Sequence, residues 1–288
     1  DEADLFVASD GPRLAPDRPT VFMGSRGVFD FELTLELREG GHHSGNWGGL
    51  LANPGIILAQ ALASLTNRKG EILVPEWRPP GPIPRKVSAA VRDLEVTGGP
   101  EGPEIDPEWG EAGLSPGEKV FGWNAFEILA FECGNPKRPV GAIPPKASAF
   151  CQLRYVVPTD PKAFMPGLRR YLDAQGFRDI EISPQPDPMA ATRLDPDHPW
   201  VRFVVDSIER TTGKDVAVLP NLGGSLPNDV FADILGLPTI WVPHSYAACS
   251  QHAPNEHILE PVSREALQIM AGLFWDLGEV EFKRDQNR

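Results

Sequence analysis

Cysteine is scarce in this chain. Its 288 residues include three, Cys133, Cys151 and Cys249. Three cysteines build no disulfide framework, and their spacing gives no C-x-x-C metal pair. A reducing compartment is the simpler reading, so the cytoplasm is the expected location. Basic charge is also short: 27 Lys and Arg stand against 40 Asp and Glu, a formal net charge of −13. A phosphate backbone repels such a chain, which argues against a nucleic-acid partner. Long apolar runs are missing as well. The longest uncharged stretch, Gly40 to Asn67, is apolar only from about Pro54 to Leu65. That is too short to span the ~30 Å of hydrocarbon in a bilayer, so no membrane partner is expected. The first residues, Asp1-Glu2-Ala3-Asp4, lack the basic start of a signal peptide and also lack Met. There is no internal repeat and no low-complexity tract.

What is present is an ordinary globular balance, 41% hydrophobic and 23% charged, in a length that suits about two domains. Pro (31) and Gly (28) are abundant but scattered, which predicts many tight turns. Leu5-Phe6-Val7-Ala8 reads as a buried strand, flanked on both sides or lying at an edge, that closes on Asp10-Gly11-Pro12. From Gly27, apolar and polar residues alternate to Leu37, the period of a half-exposed strand. Asn53-Pro54 opens a helix to about Leu65. Val120 to Phe131 and Ala147 to Val157 have strand-like content. Asp160 caps a helix to about Gln175, and Ile180-Glu181-Ile182 is a further strand. Strand, helix, strand, strand, helix, strand suits an antiparallel ferredoxin-like sheet. Ser183 to Pro196 reads as a linker. Beyond it come a helix (about His198 to Thr211), a strand (Val216 to Leu219), a helix (Asn228 to Leu235), a strand (Thr239 to Val242) and a last helix (about Ser263 to Leu277). Helix and strand alternate there, which predicts a doubly wound, mainly parallel sheet with ligands at the strand C-termini.

Several residues in this layout have chemical potential. Asp10, at a strand end, suits a metal ligand or an Asx turn. His42-His43-Ser44-Gly45 is a loop of adjacent imidazoles, fit for proton or oxyanion work or simply a polar surface. Asn221-Leu222-Gly223-Gly224-Ser225 sits between strand and helix, where backbone N–H groups suit an anion; the other reading is a flexible turn. It lacks the second glycine of G-x-S-x-G, which disfavours a nucleophilic Ser225. His252 offers a neutral imidazole to Zn²⁺. His244 and His257 read as surface residues or supports behind a site. Arg154, inside an apolar strand, calls for a partner, naturally a carboxylate.

Taken in order, Ser9-Asp10, Gly24-Ser25-Arg26-Gly27, His43-Ser44-Gly45 with Gly48-Gly49 and Asn53-Pro54, Ile143-Pro144 with Arg154, Gly223-Gly224-Ser225-Leu226-Pro227 and His252-Ala253-Pro254-Asn255-Glu256 resemble the M20 zinc metallopeptidases. That group includes carnosinase-like dipeptidases, glutamate carboxypeptidases and acetylornithine deacetylase-type deacylases. The resemblance implies a doubly wound catalytic domain (1–25 and 187–288) interrupted by a ferredoxin-like lid (26–186) that makes a homodimer. It implies two Zn²⁺ per complete subunit, with Co²⁺ or Mn²⁺ as substitutes. Asp10 and His252 would be metal ligands, and His43 would polarise the scissile carbonyl, in many members across the dimer. Arg154, Gly224 and Ser225 would hold the carboxylate of a small peptide or N-acyl amino acid. Glu127 would face the substrate amine or lie on a surface strand. The family's H-x-D motif, bridging Asp and Glu-Glu pair all precede the position of Asp10. The resemblance therefore implies a C-terminal portion, inactive alone, lacking ~150–200 residues by the size of an ordinary half-sheet domain. The alternative function is a non-catalytic dimerisation or binding module.

Overall fold

The structure is a computed structural model that describes residues 3–96, 103–186 and 188–279. Two four-stranded sheets organise it. The first contains β1 (Phe6–Ala8), β2 (Thr20–Phe22), β7 (Ala217–Leu219) and β8 (Thr239–Trp241). The second contains β3 (Gly27–Glu36), β4 (Ala125–Cys133), β5 (Lys146–Tyr155) and β6 (Glu181–Pro184).

The second sheet follows from alternation in the sequence. Phe31, Leu33 and Leu35 of β3, with Ala149, Cys151 and Leu153 of β5, point to one face and are buried. Two helices cover that face: α1 (Pro54–Leu65) through Leu58, Ala61, Leu62 and Leu65, and α2 (Phe164–Ala174) through Phe164, Leu168 and Leu172. Asn53 starts α1 as expected, its side chain accepting from the amides of Gly55 and Ile56 with Pro54 in the first turn. The strand order is β6-β3-β5-β4, antiparallel throughout. In chain order that is fourth, first, third, second, the ferredoxin-like arrangement the sequence predicts.

Local details differ from expectation. Val120 to Phe131 is not one strand: Pro116–Phe121 is a helical turn and β4 begins at Ala125. The cause is a capping box, in which Ser115 and Glu118 satisfy each other's backbone amides. That local geometry outweighs the apolar content of Val120 and Phe121. The helix after Asp160 begins only at Phe164, because Pro161–Ala163 forms a 3₁₀ turn capped by the Asp160 carboxylate.

The first sheet has the order β1-β8-β2-β7. Its outer pairs, β1 with β8 and β2 with β7, are parallel, as expected; the central contact, Trp241 opposite Phe22, is antiparallel. A parallel return needs a crossover of a dozen or more residues, usually helical. The short link from β1 to β2 contains no helix, so β2 runs opposite to β1. β1 lies at the sheet edge. There the Phe6 ring stacks on Phe231 at 4.0 Å and meets Trp241 edge-on. Phe231 belongs to a single π-helical turn, Val230–Ile234, where the sequence predicts a longer helix. Helices α3 (Pro199–Thr212) and α4 (Glu260–Glu279) pack together and bury Val204, Ile208, Ile269 and Leu273 with Val21 and Ile240.

The chain leaves the first sheet and returns to it along one paired crossing. Gly24 and Ser25 run antiparallel to Arg193 and Thr192, and Val28 bridges Met189. The expected domain limit at 187 falls on a residue outside the described ones. At the start of β3, Gly27 lies against the Tyr155 ring so closely that a Cβ there would sit 2.2 Å from it. Among the described residues no helix is long and apolar enough to cross a membrane.

Candidate carboxylate-binding cleft

A cleft of about 660 Å³ opens between the two sheets. Three loops that follow strands of the first sheet reach it: Asp10–Leu14 after β1, Leu222–Pro227 after β7, and Gln251–His252 after β8. The second sheet contributes Arg154 from β5. The cleft therefore brings together Asp10, His252, Arg154, Gly224 and Ser225, all candidates from sequence.

Asp10 is exposed, and its Oδ1 accepts from the Gly11 amide at 2.6 Å. This contact is to the adjacent amide, one residue short of an Asx turn, and Asp10 lines the cleft. His252 is exposed in a loop with three left-handed non-glycine residues, Ser250 (φ 60°), His252 (φ 60°) and Asn255 (φ 63°). Such backbone costs about 1–3 kcal/mol per residue and collects at functional sites. His257 braces this loop. Its amide donates to the Cys249 carbonyl, and its Nδ1 faces the Asn255 carbonyl at 2.9 Å. A carbonyl only accepts, so Nδ1 carries a proton, and Nε2 meets the Tyr246 hydroxyl at 2.9 Å.

His244 is not a surface residue. Both its ring nitrogens are buried without a partner among the described residues. Burial, then neighbouring Arg13, push it down to about 4, against an opposing pull from Glu265. Arg13 is itself buried and lines the cleft. It donates to the Pro243 and Pro16 carbonyls and pairs with Glu265 at 2.5 Å.

Arg154 does not find the carboxylate its position predicts. Its Nη1 donates to Ser225 Oγ at 2.7 Å and its Nε to Gln152 Oε1 at 2.9 Å. Gln152 in turn donates to Asp30 at 2.9 Å. Burial lowers the Arg154 pKa while Asp30 raises it. Glu127 sits on β4, paired in register with Gln152. Burial raises its carboxyl and Arg26 lowers it. Sequence reasoning did not single out Arg26, whose Nε donates to the Gly223 carbonyl at 2.6 Å. Its place in Gly24-Ser25-Arg26-Gly27 was the available signal.

His43 lies elsewhere. It pairs with Ala142 in a short antiparallel two-stranded ladder and accepts from the Gly45 amide at 3.1 Å. It is exposed and does not line the cleft.

Among the described residues no group of three or more His, Cys, Asp or Glu side chains is placed to hold a metal ion. A zinc centre takes at least three protein ligands. Asp10 and His252 alone do not fit one.

No protein-family model matches the chain. Among curated proteins, the β-Ala-His dipeptidase of Rattus norvegicus is 38% identical over 72 residues, which is 25% of this chain and 15% of that protein. The Cys-Gly metallodipeptidase of Saccharomyces cerevisiae is 33% identical over 95 residues, 33% of this chain and 20% of that protein. Among solved structures, the M20 family metallo-carboxypeptidase Sso-CP2 from Sulfolobus solfataricus superposes with a TM-score of 0.77 at 22% identity, over 97% of this chain and 64% of that one. The Saccharomyces cerevisiae dipeptidase Dug1p gives 0.77 at 21% identity, over 97% and 60%. Human carnosine dipeptidase 1 gives 0.74 at 18% identity, over 96% and 60%. The chain thus spans about three-fifths of the length of these structures. It has the mixed α/β fold of the M20 metallopeptidases, and part of its sequence is similar to that of dipeptidases.

Proposed function

We propose that this chain forms the carboxylate-recognising side of a metal-dependent hydrolase site. The substrate is a small peptide or N-acyl amino acid with a free carboxylate, and a dipeptide is favoured by the named relatives. The observation that carries the reading is Arg154 held at Ser225 across the cleft, with no carboxylate among its hydrogen-bond partners. A guanidinium fork so presented matches a carboxylate. In this reading residues 1–25 and 187–288 belong to the catalytic domain and 26–186 form the lid.

Asp10 and His252 would each give one ligand to a metal centre, two Zn²⁺ in the full reading. In this reading the remaining ligands and the general base would come from donors beyond the described residues. This chain alone is therefore expected to bind a dipeptide without cleaving it. The protein is expected to be cytoplasmic.

A homodimer through the lid is supported by β4. This nine-residue edge strand exposes Ile128, Leu129 and Phe131, and an open apolar edge invites another chain. His43 would serve a site across that dimer. The same edge favours the second reading, a non-catalytic dimerisation or binding module.

The test is binding of glycylglycine and of its C-terminal amide, followed by NMR. Preference for the free carboxylate, lost in Arg154→Met, is the expected result. Equal binding of both would overturn the catalytic-site reading and leave the module.

A further inference from the structure

We infer that Arg26 is a positioning residue that turns the backbone amides of Gly223, Gly224 and Ser225 into an anion cradle beside Arg154. The inference rests on the carboxylate-binding reading above. Arg26 engages three consecutive carbonyls of one loop. Its backbone amide donates to Leu222 O at 3.1 Å and to Gly224 O at 3.2 Å, and its Nε donates to Gly223 O at 2.6 Å. A trans peptide unit is planar, with its N–H opposite its C=O. Drawing these carbonyls towards Arg26 therefore turns the following three N–H groups the other way. Gly223, Gly224 and Ser225 line the cleft, and Arg26 does not. Among the described residues those N–H groups donate to no protein acceptor.

The glycines leave the amides uncovered. At Gly223 a side chain would also press on Val120, 3.0 Å from an added Cβ. Successive amides aimed at one point make an anion-binding concavity. Here it adjoins a guanidinium, since Ser225 accepts from Arg154.

Arg26 is half-buried. Desolvation, then Arg154, bring its pKa down to about 10, with Glu127 pulling the other way. It remains a cation at neutral pH, so its Nε–H is always available to Gly223. The ligand is a carboxylate or another small oxyanion, and Arg26 acts on it only through the loop.

The test uses the 288-residue chain labelled with ¹⁵N-glycine and titrated with glycylglycine or glycylglycinamide. In the wild type the Gly223 and Gly224 amide resonances move with glycylglycine and stay still with the amide. Arg26→Gln loses about tenfold or more of the preference for the free carboxylate, the scale of a lost charge-assisted hydrogen bond. Arg26→Lys, which keeps a donor and a charge, recovers part of it. If Arg26→Gln does not fold, the wild-type resonances decide. Unmoved Gly223 and Gly224 amides, or a preference intact in Arg26→Gln, overturn this inference alone. A wild type without preference overturns it together with the carboxylate-binding reading.

Discussion

Arg154 Nη1 and Ser225 Oγ lie 2.7 Å apart and join the second sheet to the loop that follows β7 of the first. Because the guanidinium donates, the serine keeps its own hydrogen for a ligand. Arg154→Met is expected to weaken glycylglycine binding about 10–100-fold, as loss of a charged partner does. Ser225→Ala should cost less, about tenfold at most on the same scale. The double variant should fall short of the sum, since the two groups act on one anion. Titration of the four proteins measures all three effects.

Gly27 makes a close contact with a side chain at the crossing between the sheets. Gly27→Ala would drive a methyl into the buried Tyr155 ring. Overpacking of this kind costs about 1–3 kcal/mol. A lowered urea midpoint with an unchanged slope is the expected observation.

Asn228 is fully buried and links two elements. It accepts from Trp241 Nε1 at 2.8 Å and donates to Thr192 Oγ1 at 2.6 Å. Asn228→Ala leaves the indole N–H and the threonine hydroxyl without this partner. The orphaned indole N–H costs about 1–3 kcal/mol, while Thr192 Oγ1 keeps the Ser25 amide at 3.3 Å, so a loss of stability of that size is expected. Asn228→Asp keeps the acceptor for Trp241 and should restore part of the thermal midpoint.

Stability should fall in mild acid because of His244. Its pKa in the fold is about 4, against an ordinary 6.5. The folded state therefore refuses a proton that the unfolded chain accepts. The stabilisation is fully present above pH 6.5 and is lost as pH falls towards 4. The charged groups acting on it are Arg13 and Glu265. Burial raises the Glu265 carboxyl, but hydrogen bonds from Lys214 and Arg13 hold it lower overall. Its own contribution is thus lost as pH falls from the ordinary carboxylate value through its lowered one, which begins at the bottom of His244's window. Urea midpoints in His244→Phe should be flatter than in the wild type between pH 6.5 and 4.5. An unchanged slope would exclude His244 as the cause.

Zinc titration probes the donor count. Two ligands make a weak site, because affinity grows with the number of deprotonated donors held in place. Calorimetry on this chain should give no submicromolar Zn²⁺ binding. A submicromolar site that disappears in His252→Ala would show that the chain carries a fuller donor set.

The second sheet was legible because its signals are local and periodic. The alternation from Val28 to Leu37 and the Asn53-Pro54 cap each dictate one element, and their order dictates the topology. The antiparallel centre of the first sheet was not, because strand direction depends on the link from Ala8 to Thr20, which has no periodicity to read. Asp10, His252, Gly224 and Ser225 reach one cleft because strand ends in such sheets converge, and Arg154 enters it from β5 of the second sheet. His43 does not reach it, and no spacing within a single chain could have shown that. Arg26 escaped notice because its role lies in three backbone carbonyls almost two hundred positions away.

The paired crossing has a thermodynamic consequence. Ser25 and Thr192 are hydrogen-bonded neighbours, so everything between them is, for the first sheet, a loop whose ends already touch. The entropy of closing a loop rises only with the logarithm of its length. A complete sheet with its helices can thus occupy that position at little more entropic cost than a modest surface turn. It follows that the inserted body can vary in size and sequence while the sheet that carries it keeps its register.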